Sequence, residues 1–154
     1  SGDEALKDVA ELAAAFAPSK ERFLETTAQG RAFLDATRAA WPCILLDRLA
    51  DAIEGPLAYP VAVAMATAGH AIPLDDALTA FLHAIAANLV SAGVRLVPLG
   101  QTDGQRVLAS LEPVIATTAN RALGTALDDI GSATFRTDIA SIRHERQYTR
   151  LFRS

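Results

Sequence analysis

A chain of 154 residues is the length of one ordinary domain, or of part of a larger one, which speaks against a multi-domain enzyme. The apolar share of 51% and mean hydropathy of +0.21 exclude a disordered chain, because so much apolar surface can offset the entropy of ordering. The formal charge of −4 argues against nucleic acid or an anionic membrane as the partner of the whole molecule.

Thirty-two of the apolar residues are alanine, the best helix former rather than a filler of cores, so the composition predicts closely packed helices. A single cysteine, Cys43, cannot close an intramolecular disulfide, and no basic start followed by an apolar run and a cleavage site is visible; a cytoplasmic protein is expected. The stretches 55–74 and 77–94 lack formal charge and approach the length of a membrane span. The first is broken by Pro56, Pro60, Gly69, His70 and Pro73, and the second carries His83, Asn88 and Ser91 among alanines. Both read as helices of a bundle interior or a subunit contact.

In chain order, Leu6, Val9, Leu12 or Ala13, and Phe16 recur at three- and four-residue steps over 3–17, one helix stripe that Pro18 ends. Ser19 fits an N-cap for a helix of about twenty residues, with acidic Glu21 in its first turn and Trp41-Pro42 at its close. A shorter helix follows over roughly 43–53, and Gly55-Pro56 is the turn after it. Pro60 suits the first position of the next helix. The run Val61–Ala66 alternates like a strand, but its alanines and its helical neighbours favour a helix. Asp75 and Asp76 open a long helix to about Val97, with Leu74, Leu78, Phe81, Leu82, Ile85, Leu89 and Val90 as a broad core face. Pro98-Leu99-Gly100 stops it, and Thr102 with Gln105 forms a capping box for a helix to about Leu123, kinked at Glu112-Pro113. A last helical pattern begins near Thr134 with Phe135, Ile139 and Ile142. The expected fold is all-α, a bundle of six to eight helices without a sheet and with no internal repeat.

Little catalytic chemistry is legible. His144-Glu145 begins like the zinc-protease helix motif, but Tyr148 stands where the second histidine ligand is required. Cys43, His70 and His83 lie in different elements, and a lone histidine on an apolar helix is most simply a hydrogen-bonded core residue. The segment Gly100 to Arg106 resembles a phosphate loop, yet its glycines are separated by three rather than four residues and Gln105 replaces the lysine. A helix start with a tight glycine turn explains it. The pairs Asp75/Asp76 and Asp128/Asp129 are adjacent in sequence and need no role beyond helix-start electrostatics and turn solvation. No catalytic, metal-binding or cofactor-binding residue is assigned, and an enzyme is not expected.

The C-terminus stands apart. From Arg136 onward five arginines face two acidic residues, a net +3, whereas the body before it carries −7. A cationic segment that also holds Tyr148, Leu151 and Phe152 has the composition of an interface anchor. The alternative is a tail folded back on its own acidic body.

Three segments resemble the urease accessory protein UreF family: Ile142–Glu145 with Tyr148–Ser154, Asn88–Gln105, and Tyr59-Pro60-Val61 with the alanine-rich run after it. The resemblance extends in family order from about Val9 to Ser154, with Ile142 where the family pattern has Met and Arg146 where it has Thr. It implies the C-terminal two-thirds of such a protein, a Ser- and Gly-rich N-terminal segment having no counterpart, and one all-α domain over residues 1–154. It further implies a cytoplasmic, dimeric chaperone that bridges UreD (also UreH) and the GTPase UreG for nickel insertion into apo-urease, regulating the GTPase without catalysis of its own. The tail 143–154 would bind UreD, which carries onto Arg143, His144, Glu145, Tyr148, Arg150, Leu151, Phe152, Arg153 and Ser154. Pro98, Gly100, Gln101, Asp103, Gly104 and Gln105 would shape either the dimer or the GTPase-facing surface, or be a plain helix junction. The alternative function is a nickel-binding metallochaperone using His70, His83, His144 or Cys43. A hydrolase would rest on His144-Glu145 alone.

Overall fold

The computed structural model describes residues 2–148. Among them are seven α-helices and no strand: α1 (Gly2–Ala15), α2 (Lys20–Ala40), α3 (Ile44–Ala52), α4 (Tyr59–Gly69), α5 (Leu74–Leu96), α6 (Gln101–Leu123) and α7 (Phe135–His144). A single 3-10 turn, Leu127–Asp129, holds the Asp128/Asp129 pair. By their contacts the helices form two compact units, one of α1 to α4 with α7 and the other of α5 with α6.

In the first unit the expected boundaries are realised by the expected chemistry. Ser19 is the N-cap of α2, its Oγ accepting from the backbone N–H of Arg22 at 3.2 Å, and the helix stops where Trp41 precedes Pro42. Pro60 occupies the first turn of α4, where its missing N–H costs nothing. The ambiguous run Val61–Ala66 is helical, and Val61, Ala62, Met65 and Ala66 are all buried. Small side chains there let α4 approach α2 closely. At Gly30 of α2 a Cβ would collide with the carbonyl oxygen of Leu57, so only glycine permits this crossing.

The core around that crossing contains Leu34, Leu46 and Leu57 as fully buried side chains, with Ala10, Ala50, Ile53 and Met65 beside them. Burial of each large side chain stabilises by roughly 2 kcal/mol. At the rim, the rings of Phe33 and Tyr59 meet edge to face, centroids 5.5 Å apart, and Tyr59 N–H donates to Thr26 Oγ1 at 3.1 Å. Arg38 of α2 reaches Asp47 of α3 at 2.7 Å, and Arg48 of α3 reaches Asp3 of α1 at 3.6 Å. The first is half-buried and the second exposed, and pairs this open to water orient helices more than they stabilise them.

The second unit is a helix hairpin whose connection, Val97 to Gly100, is short enough to make α5 and α6 antiparallel neighbours. Two sequence expectations are corrected here. Gly100 is the N-cap of α6, with no side-chain cap bond, so Thr102 lies inside the helix and no capping box forms. The broad apolar face of α5 is not a core within the described residues: Ala77 is its one buried residue, and Leu74 and Leu89 are each 69% exposed. By length and composition α5 is apolar enough to cross a membrane, although His83, Asn88 and Ser91 interrupt its surface. α6 continues from Gln101 to Leu123 through Pro113. Beyond it, the Oγ1 atoms of Thr117 and Thr118 donate back to the carbonyls of Pro113 and Val114 at 2.8 and 2.7 Å.

A polar clasp between the C-terminal helix and helix α2

The residues from Phe135 to Tyr148 form a ten-residue helix and a turn, the turn held by the Gln147 N–H on the His144 carbonyl at 3.0 Å. A helix this short is marginal in water by itself, so its contacts decide its existence. Those contacts are polar. The Ser141 and Ser19 hydroxyls share a hydrogen bond of 2.7 Å. His144 Nδ1 lies 2.7 Å from Glu21 Oε2, and Glu145 Oε1 accepts the backbone N–H of Lys20 at 2.7 Å and that of Glu21 at 3.4 Å.

The last of these is a helix cap delivered from a distance. The first backbone N–H groups of any helix lack intrahelical partners and lie at the positive end of its dipole, so a carboxylate placed there is doubly favoured. Ser19 satisfies one such group of α2 and Glu145, 125 residues away, satisfies two more. Sequence inspection could not find this pairing, since no local signal joins the start of α2 to the end of α7. The alternative of a tail folded back on an acidic body describes part of what is observed: cationic-segment residue His144 meets acidic Glu21.

The orientation of α7 is unusual for a packed helix. Ser141, His144 and Glu145 are partly covered, whereas Phe135, Ile139 and Ile142 are exposed and no residue of α7 is fully buried. Its apolar stripe therefore faces away from α2. Arg143 and Arg146 are exposed, and Tyr148 is fully so. Of the nine tail residues singled out in the sequence, His144 and Glu145 thus turn inward and Arg143 and Tyr148 outward. Arg150, Leu151, Phe152, Arg153 and Ser154 lie outside the described residues.

Elsewhere the candidates separate. Cys43 donates its thiol to the Gly69 carbonyl at 2.9 Å, while His70 and His83 are exposed, which corrects their reading as core histidines. Among the described residues no group of three or more His, Cys, Asp or Glu side chains is placed to hold a metal ion. In the junction before α6, Pro98, Leu99, Gly100, Gln101, Thr102 and Gln105 are exposed and Asp103 pairs with Arg106 at 2.9 Å. Gly104 is buried against Val94 and Val90 of α5. Its role is helix packing, not the cradling of a phosphate.

The sequence model of the UreF family matches residues 1–112 of the chain. The chain belongs to the UreF family. It is 62% identical over 152 residues to the urease accessory protein UreF of Rhodopseudomonas palustris strain HaA2, covering 99% of this chain and 64% of that protein. To the UreF of Bradyrhizobium diazoefficiens it is 61% identical over 155 residues, covering all of this chain and 64% of the relative. The chain therefore spans about 64% of the length of these relatives. Helix α7 lies beyond the part matched by the family model, whereas the start of α2 lies within it, and both lie inside the two pairwise alignments.

Proposed function

We propose that this chain is the partner-binding part of a urease accessory protein of the UreF kind, a dimeric cytoplasmic scaffold that bridges UreD (UreH) and the GTPase UreG during nickel insertion into apo-urease. It works by surface complementarity and regulates the GTPase without catalysis of its own. The observation that carries this reading is the outward apolar stripe of α7, Phe135, Ile139 and Ile142, continuous in sequence with exposed Arg143, Arg146 and Tyr148. Exposed aromatic and apolar side chains beside arginine are the usual make-up of protein-interface anchors.

In this reading the tail 143–154 captures UreD, and the exposed apolar face of α5 and the Pro98–Gln105 junction serve the dimer or the UreG-facing surface. Co-purification of the full-length protein with UreD and UreG tests it. Removing residues 143–154 abolishes UreD capture while far-UV helicity falls by no more than the ten residues of α7; capture that survives the deletion refutes the tail assignment.

A further inference from the structure

The contacts that fasten α7 to α2 are few, polar and concentrated at one end of each helix. We propose that Ser141, His144 and Glu145 form a latch on the first turn of α2 that positions the C-terminal docking segment, so that these three are positioning residues and not contacts to the partner. The inference rests on the docking reading above and goes beyond it, dividing the tail into a part that holds and a part that binds.

Three observations lead there. First, the groups involved face inward and are occupied: Glu145 on the Lys20 and Glu21 amides, His144 on Glu21, Ser141 on Ser19. A carboxylate engaged with two helix-start amides is a poor recruit for an external arginine, since leaving would strand those donors. Second, α7 buries none of its own residues, so no apolar core holds it in place and the polar contacts carry a large share of its attachment. Third, Thr149 follows Glu145 by four positions, a reach of at most about 14 Å even when fully extended. Fixing Glu145 therefore leaves little chain to be ordered between the latch and the docking contacts, which lowers the cost of binding.

Linkage gives the latch a second property. If a closed latch favours binding, binding must favour a closed latch by the same factor. Partner engagement at the C-terminus is then felt at the start of α2, where the amides of Lys20 and Glu21 report it.

The test uses the full-length protein and purified UreD, with hydrogen exchange at the α2 amides and a binding titration as paired readouts. Glu145→Ala accelerates exchange at Lys20 and Glu21 about tenfold, leaves the α4 core amides unchanged, and weakens UreD binding by a similar factor. Glu145→Gln, which keeps an acceptor oxygen, recovers much of both, and Glu21→Gln weakens binding although Glu21 lies outside the docking segment. In the unsubstituted protein, adding UreD slows exchange at Lys20 and Glu21. Unchanged exchange in Glu145→Ala, or faster exchange with unchanged affinity, overturns the latch. Should removal of 149–154 abolish capture while Glu145→Ala binds normally, the latch alone falls; should that removal leave capture intact, the docking reading falls with it.

Discussion

Gly30 of α2 lies so close to the carbonyl group of Leu57 that a Cβ on it would strike the carbonyl oxygen and come within 3.0 Å of the carbonyl carbon of Ala58. The obstacle is backbone, which cannot rotate aside. Gly30→Ala is therefore expected to lower stability by about 2–3 kcal/mol despite the higher helix propensity of alanine. A thermal melt of the variant that matches the parent would show that α2 and α4 are not held at this distance.

Gly104 gives the contrast. A Cβ there would approach Val94 Cγ2 at 2.9 Å, a methyl group that a rotamer change or a small helix shift can move. The gain in helix propensity, about 1 kcal/mol, opposes an overpacking cost of about 1–3 kcal/mol. Gly104→Ala is expected to lower stability by about 0–2 kcal/mol, less than Gly30→Ala, and parallel urea titrations of the two variants decide it.

Ala71 has φ of 54°, the one non-glycine residue with positive φ in the described chain. It follows the end of α4, its N–H on the Ala68 carbonyl at 3.1 Å, a position where glycine is the usual choice. Ala71→Gly is expected to raise stability by about 0.5 kcal/mol, relief of the left-handed conformation exceeding the entropy that glycine adds to the unfolded chain. A fall in the melting temperature would show that the residue relaxes to negative φ in solution.

Leu46 and Leu89 separate core from surface. Leu46 is fully buried and Leu89 is 69% exposed. Leu46→Ala is expected to cost about 2–5 kcal/mol, and Leu89→Ser on α5 no more than about 0.5 kcal/mol in the isolated chain. A large loss for Leu89→Ser, read from the same denaturation curves, would mean that α5 is covered in solution.

Much of this fold is legible in the sequence because its punctuation is chemical. Ser19, Pro42, Pro60, Pro73 and Gly100 act at their own positions, and the helices between them end where these residues require. What the sequence leaves open has one physical origin: local patterns do not name the partner of a face. The apolar run of α5 predicts burial without saying against what, and His70 and His83 look like core residues only if their helices are enclosed. The pattern Thr102 to Gln105 permits a cap but cannot compel one, and the helix begins two residues earlier, at Gln101 with Gly100 as its N-cap. Glu145 is the clearest case. It is read as part of a failed metal motif and as part of a docking tail, whereas it meets the start of α2 across 125 positions of chain.

Deletion of residues 149–154 from the full-length protein leaves the described contacts of the clasp in place, and the affinity for UreD before and after it is the deciding measurement. The deletion removes Arg150, Leu151, Phe152 and Arg153, and loss of such an anchor cluster is expected to weaken binding by more than about a hundredfold, with the circular dichroism spectrum unchanged. An affinity within about twofold of the intact protein, a difference of roughly 0.4 kcal/mol, would contradict the account.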